Sequence, residues 1–338
     1  MRPVRRRKIF YLFIPAAPII LIIISLCLGR YPIPVRDVFA ALLNPIFNTP
    51  ADARTLGIVN YIRLPRAILA VMVGGSLAVS GTAFQGLFRN PLVSSGMLGV
   101  SSGSGFGAAL AIIMFGHNPS VYPFSFLFGG LAVIFSYFVG RIYKTATNIT
   151  LVLGGVVVGS LFSAGVSFLK YIADPYDQLP AIVFWLMGSL ASARYKDILL
   201  AGIPMAAGCI GLFAVRYRIN VLAMGEKEAR TMGVDLKLTR IFIVACATLA
   251  TAGAVCVSGV IGWVGLIIPH MGRMITGSDN RHLVPFSFSL GGCFLLIVDD
   301  ISRLISGSEL PLGILTAFIG APFFIYLLKV TKAKGWQT

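Results

Sequence analysis

The chain has 338 residues, a formal net charge of +16, 57% hydrophobic residues, only 12% charged ones and a mean hydropathy of +0.87. A water-soluble domain carries about 25% charged residues, so this composition excludes one, and it excludes a disordered polyelectrolyte for the same reason. The five cysteines, Cys27, Cys209, Cys246, Cys256 and Cys293, stand singly inside apolar stretches. That spacing offers no Cys-x-x-Cys pair for zinc and no disulfide framework.

Apolar runs recur at 9–28, 63–87, 95–115, 120–141, 147–171, 194–215, 237–259, 261–277, 283–305 and 310–330. As a helix, a run of about 20 residues crosses a hydrocarbon core of about 30 Å. A spanning helix satisfies its own backbone hydrogen bonds in lipid, and the alternation of a membrane β-barrel is absent from these runs. The expected fold is therefore an all-α polytopic membrane protein, a single transmembrane domain over 1–338 with about ten helices. The first run follows Arg2, Arg5, Arg6, Arg7 and Lys8, and is read as a span rather than a cleaved signal because of its length. With that end inside, most of the 28 Lys and Arg residues fall on the cytoplasmic side. An even number of spans then returns both termini to the cytoplasm, as the positive-inside rule requires. The basic surplus is thus topological, and no nucleic-acid partner is expected.

Between the first two runs, Pro32, Pro34, Pro45 and Pro50 surround VRDVFAALL, an amphipathic stretch suited to the membrane interface. Further on, Gly99, Gly103 and Gly107 stand four residues apart, the spacing that lets helix backbones approach in lipid. Pro91 interrupts the end of the second run, in Arg89-Asn90-Pro91-Leu92, and frees backbone groups there. The segment 218–240, RINVLAMGEKEARTMGVDLKLTR, is a charged amphipathic island between two apolar runs. Glu226 and Glu228 would sit in the first turn of a short helix after Gly225, where negative charge suits the dipole. Met224, Ala229 and Met232 would give that helix an apolar face, and Gly233 would close it. At a fixed offset the second half echoes the first: Gly253 follows Gly75, Val257-Ser258-Gly259 follows Val79-Ser80-Gly81, Pro269 follows Pro91 and Gly277 follows Gly99. Because the two copies would run in opposite directions, this suggests an inverted repeat pairing spans 2–5 with spans 7–10. No Gly-x-x-x-x-Gly-Lys-Ser/Thr phosphate loop and no nucleophile–base pair occur. The chain is thus not expected to be an enzyme or to hydrolyse nucleotide itself.

Four stretches together are more specific than any one alone. They are RLPRAILAVMVGGSLAVSGTAFQGLFRNPL (63–92), VLAMGEKEARTMGV (221–234), VSGVIGWVGLIIPHMGR (257–273) and VDDISRLISGSELPLGILTAFIGAPFFIYLL (298–328). They resemble the FecCD-type permeases of ATP-binding-cassette (ABC) importers, the group that includes the cobalamin permease. The resemblance implies a prokaryotic plasma-membrane complex. Its parts would be a second permease subunit, read as a homodimer, two cytoplasmic ATPase subunits and an extracytoplasmic substrate-binding protein. It implies no cofactor on this chain, with ATP and Mg on the ATPase. By matched position it assigns Arg63, Arg66 and Arg303 to docking of the binding protein. It assigns Met224, Gly225, Glu226, Glu228, Ala229, Met232 and Gly233 to ATPase coupling. Asn90, Pro91 and Leu92, with Thr147 and Asn148, would form a cytoplasmic gate. Ferric siderophore or another metal chelate is the expected cargo, and haem, cobalamin and a molybdate-like oxyanion remain alternatives. An ion-driven secondary transporter is the other class, for which Asp299 and Asp300 would be the coupling acids.

Overall fold

The computed structural model describes residues 2–47, 49–50, 52–140, 148–305 and 309–332, and among them there is no strand. The helices are α1 (Arg2–Cys27), α2 (Val35–Phe47), α3 (Ala53–Leu56), α4 (Leu64–Phe88), α5 (Val100–Phe115), α6 (Val121–Gly140) and α7 (Asn148–Ile172). They continue as α8 (Gln178–Met187), α9 (Tyr195–Met224), α10 (Glu226–Thr231), α11 (Leu236–Ser258), α12 (Val264–Thr276), α13 (Asn280–Ile305) and α14 (Leu312–Lys332). A π-helical turn, Gly57–Arg63, joins α3 to α4, so the chain is helical without a break from Ala53 to Phe88.

Each of the ten expected runs corresponds to a helix. Six segments, containing α4, α6, α7, α9, α11 and α13, are long and apolar enough to cross a membrane. The apolar parts of α1, α5 and α14 are shorter. At 1.5 Å per residue, the 13 residues of α12 reach only about 20 Å. The chain breaks before α12 because Gly259 turns to φ 67° and Trp263 to φ 68°, and the freed Ser258 carbonyl accepts the Ser189 amide at 2.8 Å.

The core is built around α4, which is buried along most of its length and packs on α13, α9, α11 and α12. Small residues make this possible. A Cβ on Gly74 would collide with the Gly291 carbonyl of α13 and come 2.7 Å from Leu295 Cβ. Leu212 and Ile219 of α9 and Ile243 of α11 then close over Phe84 and Leu87 of α4.

Two expectations change. The span at 194–215 continues as helix to Met224, so the island's first residues belong to α9. Ile219, Val221 and Leu222 hold that extension because they are buried in the core. At the offset of the proposed repeat, the break after Ser258 in the second half falls opposite the uninterrupted middle of α4. The two halves therefore place their helix breaks differently.

Candidate functional site

Two polar constellations lie at opposite ends of α4. Its 25 residues make it about 37 Å long.

The first is an ionic cluster where α1, α4 and α13 meet. Arg66 Nε and Nη2 donate to the Asp299 carboxylate at 2.9 Å each, and Nη1 reaches Glu309 at 2.9 Å. Arg303 pairs with Asp300 one turn back and stands 3.5 Å from Asp299. Ser25 of α1 donates to Asp300 at 2.6 Å and accepts from Arg303 at 3.0 Å. Arg63, at the end of the π turn, donates to the carbonyls of Leu26 at 2.6 Å and Tyr31 at 2.5 Å. Arg63 and Arg66 are each only 5% exposed and Asp299 is 0% exposed. The guanidinium fork matches a carboxylate in two directions at once, which is why arginine holds these three helices together.

The three arginines assigned to docking are thus already engaged within the chain. Arg63 and Arg66 are spent inside the chain, and Arg303 makes the i, i+3 bond to Asp300 that its helix spacing allows. Asp299 and Asp300, the acids an ion-driven mechanism would need, are the partners of these arginines. Sequence reasoning missed Glu309 and the pairing of Asp299 with Arg66. Asp299 alone carried a signal, as an acid followed by another inside an apolar run.

The second constellation surrounds α10. Gly225 caps it at φ 140°, ψ 160°, a conformation open essentially to glycine alone. Gly233 leaves it at φ 74°. Asp235 then caps α11 by accepting the Leu238 amide at 2.9 Å. Glu226 pairs with Arg240 of α11 at 2.9 Å, fixing the angle between the two helices. Met224 and Met232 are 61% and 50% exposed, and Glu228 is exposed. Ala229 is a correction: it is 0% exposed and faces the chain's own core, so it cannot touch a partner. With only six residues in α10, one face must point inward, and the smallest side chain takes it. A cleft of about 410 Å³ opens beside the helix between Leu87, Arg89, Met224, Glu226, Glu228 and Arg240.

The loop after α4 borders this cleft. The helix stops at Phe88 because Arg89 adopts the left-handed conformation, φ 54°, two residues before Pro91. Asn90, Pro91 and Leu92 are exposed, and the Asn90 side chain accepts the Leu92 amide at 2.9 Å. Gln85, only 3% exposed, pins the loop: it donates to the Val93 carbonyl at 3.1 Å and to the Leu266 carbonyl at 3.3 Å, and accepts from Arg273. Gln85 and Arg273 went unnoticed in the sequence, although a glutamine in the last turn of an apolar span was a readable sign. Thr147 and the side chain of Asn148 lie outside the described residues. Nearby, Asn220 of α9 donates to Asp279 at 2.6 Å and accepts the Asn280 amide at 2.8 Å. The Asp279 carboxyl is held well below the usual carboxylate range by hydrogen bonds from Arg281 and Asn220.

The described residues thus form an all-helical bundle with helices long and apolar enough to cross a membrane, a short glycine-bounded helix at one end and a buried ionic cluster at the other. Residues 17–330 match the FecCD transport family, and the chain belongs to it. It is 39% identical over 321 residues to the molybdate import system permease protein MolB of Haemophilus influenzae, covering 94% of each chain. It is 39% identical over 319 residues to the cobalamin import system permease protein BtuC of Halobacterium salinarum, covering 91% of this chain and 82% of that one. A solved ABC transporter of the metal-chelate type, in an inward-facing conformation, superposes with a TM-score of 0.85 at 37% identity, over 96% of this chain and 99% of the other.

Proposed function

We propose that this chain is the permease subunit of a binding-protein-dependent ABC importer in the prokaryotic plasma membrane. It crosses the membrane with ten segments and keeps both termini in the cytoplasm. The observation that carries this reading is α10, with Met224 and Met232 outward and its angle fixed by Gly225, Gly233 and the Glu226–Arg240 pair. Such a helix presents apolar side chains where a soluble ATPase can grip them, and its rigid join to α9 and α11 passes a push into the bundle. ATP and Mg act on that ATPase, and this chain supplies no catalytic group.

Two copies would enclose the pathway. On α7, Ser160, Ser163, Ala164 and Ser167 form one exposed stripe, more suited to a wetted channel than to lipid tails. Ser160 and Ser167 bond back to their own helix, at 2.9 Å and 3.1 Å. The lining thus offers few free donors to a passing solute and would bind it weakly. Asn90, Pro91 and Leu92 form the cytoplasmic gate, with Thr147 and Asn148 as its other part. The end bearing Arg63, Arg66 and Arg303 receives an acidic face of the binding protein.

The cargo is a metal chelate, foremost a ferric siderophore, with haem, cobalamin and molybdate-like oxyanions as alternatives that the names of the relatives support. The test is reconstitution with an ATPase and binding protein of the same transporter. ATP-dependent uptake of ferric siderophore, with hydrolysis stimulated by loaded binding protein, is expected. Uptake driven by an ion gradient without ATP would refute the reading.

A further inference from the structure

The ionic cluster is balanced before any partner arrives. Arg63, Arg66 and Arg303 face Asp299, Asp300 and Glu309, three cations against three acids. The acids are not equivalent. Asp299 is 0% and Asp300 8% exposed, both on α13 and each tied to an arginine. Glu309 lies on the connection to α14, and its side chain is 31% exposed. It touches Arg66 only at Nη1, while Nε and Nη2 belong to Asp299. The connection is anchored beyond Glu309, where the Leu310 carbonyl accepts from Ser302 at 2.5 Å and the Leu312 amide reaches the Gly188 carbonyl at 2.9 Å. The Glu309 side chain can therefore leave without moving α14.

A carboxylate brought by another protein would meet Arg66 at Nη1. A fourth acid added to this half-dry cluster would be repelled by the three already there, so it can enter only by exchange. We propose that Glu309 is an internal stand-in for a carboxylate of the binding protein. It holds the seat on Arg66 in the unengaged permease and swings into water when an acidic side chain of the docked protein takes its place. This rests on the reading that an acidic face of the binding protein docks at this end. Exchange keeps Nη1 of Arg66 bonded while Asp299 holds Nε and Nη2 throughout, so no buried N–H is left without a partner. It also makes docking the difference between two similar ion pairs, and hence readily reversible, as a partner that must leave each cycle requires.

The test uses the permease–ATPase complex in lipid nanodiscs and the binding protein of the same transporter, with affinity measured at 50 and 500 mM NaCl. Wild-type affinity should fall with salt. Glu309→Gln removes the internal competitor, so binding at low salt should tighten by about fivefold, the scale of one partly exposed ion pair. Glu309→Asp, which keeps the charge, should stay closer to wild type. Carboxyl footprinting of the wild-type complex with carbodiimide and glycine ethyl ester adds a readout without mutation: Glu309 should become more reactive when the binding protein docks. Salt-sensitive binding that Glu309→Gln leaves unchanged or weakens, or Glu309 reactivity that does not rise, overturns the exchange while leaving the docking reading intact. Wild-type binding insensitive to salt overturns the docking reading itself.

Discussion

Asp299→Asn removes the charge at the centre of the ionic cluster. Asp299 accepts three hydrogen bonds from Arg66 at 2.9–3.1 Å, lies 3.5 Å from Arg303, and has no exposed surface. Breaking a buried ion pair by removing one partner costs about 3–5 kcal/mol, because the other charge stays behind unpaired. Here Glu309 remains on Arg66 and Asp300 on Arg303, so the lower end, about 3 kcal/mol, is expected. That is roughly a 150-fold shift in the unfolding equilibrium. Replacing both partners by apolar groups leaves no charge buried between them, and Glu309, whose side chain is 31% exposed, can turn to water; Arg66→Met with Asp299→Leu should therefore recover most of the loss, to within about 1 kcal/mol of wild type. The assay is unfolding in mixed micelles by increasing fractions of denaturing detergent, followed by circular dichroism. An Asp299→Asn variant within about 0.5 kcal/mol of wild type, or a double variant no better than the single, would refute the claim that this cluster clamps α1, α4 and α13.

Other expected outcomes separate inward from outward residues. Ala229→Trp should overpack the permease core and lower its own stability by roughly 1–3 kcal/mol, seen as earlier melting of the isolated subunit. Met232→Glu should leave that melting unchanged and instead abolish copurification of the ATPase. Gln85→Leu frees the 89–93 loop from α12, so hydrolysis in the assembled complex without binding protein should rise severalfold; unchanged basal hydrolysis would exclude Gln85 from the gate. Asp279, with its carboxyl held low, contributes its full stabilisation above the ordinary carboxylate pKa of about 4 and loses it as pH falls further. The melting difference between wild type and Asp279→Asn should therefore be constant from pH 8 to 5 and shrink below pH 4.

The helices were legible because lipid imposes a simple code, an apolar run of fixed length: all ten runs correspond to helices, and six of these lie in segments long and apolar enough to cross a membrane. What that code cannot show is where a helix breaks inside an apolar run. Gly259 turns the chain beside the Trp185 carbonyl of α8, and Trp263 packs its ring against Phe324 of α14, contacts that depend on tertiary structure. Nor does periodicity reveal burial in a six-residue helix: Gly225, Gly233 and the outward methionines were readable, whereas the inward turn of Ala229 depends on the core formed by α9 and α11. The arginines drew attention as isolated charges at the ends of apolar runs. The partners of Arg66 sit more than 230 positions away in sequence, and only folding brings Asp299 and Glu309 to it.

The central claim, that α10 is where the ATPase grips the permease, is tested most directly by photo-crosslinking from single positions in the membrane-embedded complex. A photoreactive side chain at position 224 or 232 should capture the ATPase subunit, and the same group at buried position 229 should capture only the permease itself. Crosslinks to the ATPase from 229 but not from 224 or 232, or labelling of 224 and 232 by an impermeant reagent added outside intact cells, would contradict the account.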